Sequence, residues 1–139
     1  MSESFWVLPD VVGLRTPHAI LKEQADALTK ATNGRLEGWV ENAQVNRLLA
    51  MVTASPVTYS RSLALSIRVP ALDDYTYRIL QYLQPTELYP GLLSGMGGPE
   101  GVPIDNELMF EDVLRQFLAS EPTQRIVRSL LAQANDVAA

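Results

Sequence analysis

Residues Leu63 to Pro90 read LALSIRVPALDDYTYRILQYLQPTELYP. Leu63, Leu65, Ile67 and Val69 alternate with Ala64, Ser66 and Arg68. That period of two sets an apolar row and a more polar row on opposite faces of a strand. Pro70 has no N–H to give to a ladder and closes the strand. Ala71-Leu72-Asp73-Asp74 supplies the turn, where aspartate bonds to local backbone, and Tyr75 to Tyr82 returns. On an unbroken strand Tyr75, Tyr77 and Ile79 share one face, and Thr76, Arg78, Leu80 and Tyr82 share the other. Gln84-Pro85 then opens a loop, and Glu87-Leu88-Tyr89 reads as one more short strand before Pro90.

Upstream, Thr16-Pro17 is a helix start: a hydroxyl N-cap followed by proline at the first helical position. Ile20, Leu21, Leu28 and Ala31 recur along one face, Asp26 and Lys30 form a favourable i,i+4 pair, and Asn33-Gly34 stops the helix. The spacing predicts a helix over 17–32. From Arg35 the period changes to two, with Leu36, Gly38 and Val40 set against Glu37, Trp39 and Glu41. Gly38 in such a strand marks a bulge or a close backbone approach. The apolar run Arg47 to Thr53 reads as a buried strand, with helix as its alternative. Strands joined by short connections in sequence imply an antiparallel meander.

Downstream, residues 91–103 hold five of the eight glycines and two of the nine prolines, so the segment reads as a long loop. Asp105 or Asn106 caps a helix carrying Leu108, Val113, Leu114, Phe117 and Leu118. Ser120-Glu121-Pro122 starts another, with Ile126, Val127, Leu130, Leu131 and Ala134 on one stripe. The expected fold is α+β: an N-terminal helix, an antiparallel meander of three to five strands, and a C-terminal two-helix unit packed on one sheet face. The 139 residues fit one domain, with 1–10 as a docked or flexible tail. Phe5-Trp6-Val7-Leu8 in that tail is adhesive if exposed, so burial on this chain or on a partner is expected.

Hydrophobic residues make up 47% of the chain and charged residues 19%, ordinary globular values. The net charge of −5 lies late: residues 1–79 carry eight basic and eight acidic side chains, residues 80–139 three and eight. An acidic chain with a pI near 4.8 lacks the electrostatic footprint of a nucleic-acid binder. No run approaches the ~20 apolar residues of a membrane helix, and MSESFWVLPD lacks the basic start of a secretory signal. A cytoplasmic location is the expectation. Zero cysteines remove disulfides, thiolate zinc sites and cysteine nucleophiles.

Chemistry-bearing constellations are few. His18 is the only histidine, and no orienting carboxylate or nucleophile stands beside it in sequence. Ser94-Gly95-Met96-Gly97-Gly98 lacks the Gly-Lys-Ser/Thr of a phosphate loop, and Pro99-Glu100 follows. Asp73 and Asp74 are adjacent, so on a strand they face opposite ways and cannot share a proton. No calcium-loop spacing is present, and one histidine without cysteine leaves zinc without ligands. No catalytic residue, metal or cofactor is expected. The sheet aromatics are the more informative set, because aromatics and arginine are enriched at protein interfaces, although tyrosine is also an ordinary strand former. The expected binding surface is Trp39, Asp73, Asp74, Tyr75, Tyr77 and Arg78. In size, acidity and helix–sheet–helix order the chain is similar to small bacterial secretion chaperones and toxin-immunity proteins, a likeness that carries no residue across. The expected partner is another protein or a second copy, without nucleic acid or membrane. The alternative is a small-molecule binder or enzyme whose pocket uses Tyr77, Arg78 and Asp74.

Overall fold

A computed structural model describes residues 3–44, 59–95 and 101–138. Helix α1 (Pro17–Ala31) leads into strands β1 (Glu37–Gln44), β2 (Arg61–Val69), β3 (Tyr75–Gln84), β4 (Gly91–Gly95) and β5 (Val102–Ile104). Helices α2 (Glu107–Ala119) and α3 (Glu121–Ala138) complete the order. The strands form one antiparallel sheet in the order β1-β2-β3-β4-β5, so each pairs with its neighbours in the chain. This is the α+β meander that the alternating pattern implies. The run Arg47 to Thr53 and the glycines Gly97 and Gly98 lie outside the described residues.

Local chemistry sets the boundaries. Thr16 Oγ1 accepts from the Ala19 amide at 3.1 Å and caps α1. Asn33 and Gly34 end that helix with φ of 52° and 79°, the left-handed geometry of a helix stop. Asp26 and Lys30 do not pair; the ion pair on α1 joins Glu23 to Arg15 instead. Pro70–Leu72 form a single 3-10 turn, and Asp73 and Asp74 follow with φ of 56° and 59°. Asn106, not Asp105, caps α2 by accepting from the Met109 amide at 2.9 Å.

The helices pack on the sheet face formed by Leu63, Leu65, Ile67 and Val69. Those four side chains join Ile20, Leu21, Leu36, Leu80, Tyr82, Leu93, Ile104, Phe110 and Leu114 in one buried core. The edge-to-face contact of Tyr82 and Phe110, with ring centroids 4.9 Å apart, ties β3 to α2. Leu108 leaves the expected stripe of α2 and is 74% exposed, because Phe110 and Leu114 face the sheet. The centre of β2 is buried on both faces, Ala64 and Ser66 included.

Three expectations change. Glu87-Leu88-Tyr89 is a turn: the Leu88 amide donates to Pro85 O, and Leu88 has φ 82°. The segment 91–103, expected as a loop, contributes β4 and β5. Gly91 and Gly101 serve close packing, since a Cβ on Gly91 would collide with the Tyr82 ring and one on Gly101 would stand 2.5 Å from Leu92 Cγ. Glycine was therefore a sign of crowding here rather than of loop freedom. The third change concerns β3. Leu65 pairs with Leu80 but Ser66 pairs with Arg78, which leaves Ile79 as the extra residue of a bulge.

Candidate binding surface

The bulge at Ile79 redistributes the expected site. Tyr75 and Tyr77 oppose Val69 and Ile67, so they lie on the helix-bearing face together with Leu80 and Tyr82. Thr76 and Arg78 oppose Arg68 and Ser66 and lie on the opposite face. Trp39 also opposes Ser66, from the β1 side, so it shares the face of Arg78. The six expected residues thus divide into two surfaces and a turn. A one-residue shift of register turns every later side chain to the other face.

On the face away from the helices, charges are paired across strands. Arg68 Nε donates to Glu37 Oε2 at 2.9 Å, between directly opposed residues of β2 and β1. Arg78 Nη2 donates to Glu41 Oε2 at 2.9 Å, reaching from β3 over β2 to β1. Asp74 Oδ1 stands 3.9 Å from Arg68 Nε, so one of the turn aspartates joins this row. The hydrogen bond and charge of Glu37 raise the pKa of Arg68 above its ordinary value. Trp39 stands in the same row, 46% exposed. Pairs this open contribute little stability, but they line the two arginines up with Trp39 in one polar-aromatic row.

On the helix-bearing face, Tyr75 and Tyr77 border a concavity of about 390 Å³ with Leu72, Ile126, Leu130 and Gln133. Tyr75 is 50% exposed there. Arg78 and Asp74 do not reach this concavity, so the expected trio of Tyr77, Arg78 and Asp74 does not form one pocket. His18 lies in the first turn of α1. Among the described residues no three histidine or acidic side chains converge.

Three features have no local sequence signal. Arg15 bonds to Glu23 of α1 and Glu111 of α2, a junction that spans 96 positions, and both carboxylates raise its pKa, Glu23 foremost. Beside it, Ile20, Gln24, Leu114, Arg115 and Gln124 surround a cavity of about 450 Å³ between the three helices. The Tyr89 hydroxyl is buried with no hydrogen-bond partner among the described residues. Burial, reinforced by Glu107 and Glu111, pushes its pKa up to about 12. Tyr82 is pushed up as well, by burial first, and its hydroxyl donates to Leu88 O at 2.6 Å.

The N-terminal segment neither joins the sheet nor docks on the described core: Phe5, Trp6, Val7 and Leu8 are 84–92% exposed. No described helix is long and apolar enough to cross a membrane. Compared with known proteins, the chain matches no family model, no curated protein and no solved structure.

Proposed function

We propose that this chain is a non-enzymatic protein–protein interaction module of the cytoplasm. The observation that carries the reading is the arm Phe5–Leu8, four consecutive large apolar residues almost wholly in water. Contiguous exposed apolar surface marks binding sites in soluble proteins, and burying each such side chain is worth roughly 1.5–3 kcal/mol. The row of Trp39, Arg78 and Arg68 adds a second, polar-aromatic surface of the residue types favoured at interfaces. The absence of cysteine from the sequence suits a reducing compartment. A photo-crosslinking phenylalanine analogue placed at Phe5 in cells of the native host tests the reading. A discrete protein adduct is expected, lost when Trp6 and Leu8 are changed to serine; no adduct to any protein would reject it.

A second reading, a small-molecule binder, draws on the 450 Å³ cavity beside Arg15, whose volume falls in the range of ligand sites. It predicts that a metabolite library contains a compound raising the melting temperature, and that Leu114→Trp, which fills the cavity, abolishes that rise.

A further inference from the structure

α3 is the longest described helix and the one held by least. Among its described side chains only Leu130 and Ala134 are buried, whereas the shorter α1 buries Pro17, Ile20, Leu21 and Ala25. Open space flanks α3 on both sides. About 390 Å³ lies between it and Tyr75 and Tyr77, and about 300 Å³ between it and α1, over Leu65 and Ile79. A smaller gap of about 40 Å³ lies under its first turn, against Tyr77 and Ile79. Side chains that border such gaps forgo the dispersion contacts of a close-packed core.

Polar ties are as sparse. Among the described residues α3 makes no ion pair. Beyond its first turn its one side-chain hydrogen bond to the body is exposed, from Arg35 Nη1 to Asn135 Oδ1. The other two helices are bound more firmly. Thr29 and Thr32 bond α1 to the Gly38 amide and to Leu36, and Arg15 joins Glu23 of α1 to Glu111 of α2. Phe110 of α2 packs edge-to-face on Tyr82. The start of α3 is its firm end. Ser120 alone separates it from α2, with extended backbone at ψ 154°. The Ser120 and Thr123 hydroxyls both donate to Phe117 O, at 2.7 and 2.8 Å. One end is pinned, and the rest lies over gaps.

We propose that α3 is a lid, which swings off the sheet as a unit about Ser120 while α1, α2 and the strands stay folded. Opening uncovers Leu65, Tyr77 and Ile79 on the sheet and Leu72 beside it, the residues that face α3 across the gaps. The open form therefore presents an apolar surface that the closed form hides. Sub-global openings are drawn from elements with few buried apolar contacts, and α3 is that element here. The motion is a property of the fold and stands apart from whatever binds the arm.

Native-state hydrogen exchange of the full chain in sub-denaturing urea tests the proposal. The amides from Leu130 to Ala134 should share one opening step and exchange faster than those of Leu65 and Ile67 by roughly a hundredfold or more. Thr29→Val and Thr16→Ala weaken the body and not the lid, because these hydroxyls bond within α1 and to β1. The closed and lid-open forms both keep α1 folded. Each variant should therefore speed exchange in β2 by roughly fivefold and leave Leu130–Ala134 unchanged. The chain has no cysteine, so Ile79→Cys places a sole thiol beneath α3, and a thiol reagent should label it through the same opening step. Exchange in α3 as slow as in β2, or rising with β2 in the two variants, means that α3 opens only with the whole fold and overturns the proposal. Amides of α3 that exchange independently of one another and of urea overturn it as well, since fraying uncovers nothing. Labelling of Ile79→Cys only at the rate of global unfolding overturns the uncovering of the sheet.

Discussion

Gly38→Ala should destabilise the protein, although Gly→Ala inside a strand ordinarily stabilises by about 0.5–1 kcal/mol. Gly38 is paired with Ile67 and faces α1. A Cβ there would stand 2.5 Å from Ala25 Cα and 2.6 Å from its carbonyl carbon, where ordinary contact begins at 3.4 Å. The neighbour is helix backbone, which cannot rotate aside, and Ala25 O lies nearer still, so α1 has to retreat by more than about 0.9 Å, the gap between the first and last of those distances. The retreat loosens Ile20, Leu21 and Ala25, all buried against the sheet. It also strains the Thr29 hydroxyl, which accepts from the Gly38 amide at 2.9 Å and donates to Ala25 O at 3.1 Å. Overpacking costs about 1–3 kcal/mol; taking the upper end against rigid backbone and subtracting the strand gain leaves a net loss of roughly 2 kcal/mol. With a urea m-value of about 1–3 kcal/mol per molar, the midpoint should fall by roughly 1 M at unchanged m. An equal or higher midpoint for Gly38→Ala would refute the argument. Thr29→Val should cost about 1 kcal/mol through the amide it strands. Its effect should combine with Gly38→Ala less than additively, since both act on one contact.

Tyr89→Phe should be neutral or slightly stabilising by thermal melt, because its buried hydroxyl has no partner, whereas Tyr82→Phe should cost about 1–2 kcal/mol by stranding Leu88 O. The raised pKa of Tyr89, about 12, means the folded state favours the protonated phenol. Its contribution is complete below the ordinary tyrosine pKa of about 10 and is lost as pH rises from there toward 12. Above about pH 10 the parent should lose stability that Tyr89→Phe keeps, so the two alkaline stability curves should diverge there; parallel curves would contradict the assignment. Asp73→Gly should leave stability within about 0.5 kcal/mol or raise it, since glycine takes the left-handed φ without steric cost, while Asp73→Val should cost more than 1 kcal/mol. Thr16→Ala should cost about 1 kcal/mol through the lost cap, and His18→Ala on the adjacent turn less than 0.5 kcal/mol in a urea melt.

The architecture was legible because it rests on short-range signals. Period two in Leu63–Val69, the Thr16-Pro17 start and the Asn33-Gly34 stop each act within a few residues, and local sterics and hydrogen bonding decide them. The same sequence misplaced the arrangement of side chains. One extra residue, Ile79, put Tyr75 and Tyr77 on the helix-bearing face with Leu80 and Tyr82 and left Arg78 on the other without them, and nothing in YTYRIL distinguishes a bulge from a regular strand. Glycine carried the opposite ambiguity. Gly38 was read as a bulge or a close approach and is the second, while Gly91, Gly95 and Gly101 were read as loop freedom. Gly91 and Gly95 are strand residues, and Gly91 and Gly101 sit where a partner side chain leaves no room for a Cβ.

By itself, then, the sequence determined α1, the strands β1 to β3 and the two C-terminal helices, the antiparallel sense of the strand pairing, and the apolar content of the N-terminal arm. These follow from residue-level propensity and periodicity. Tertiary structure alone decided which face each tyrosine occupies, that Arg15 meets Glu111 across 96 positions, and that a cavity stays open between the three helices. Register and interhelical distance are set by packing between segments far apart in the chain, and no local pattern encodes the space left between them.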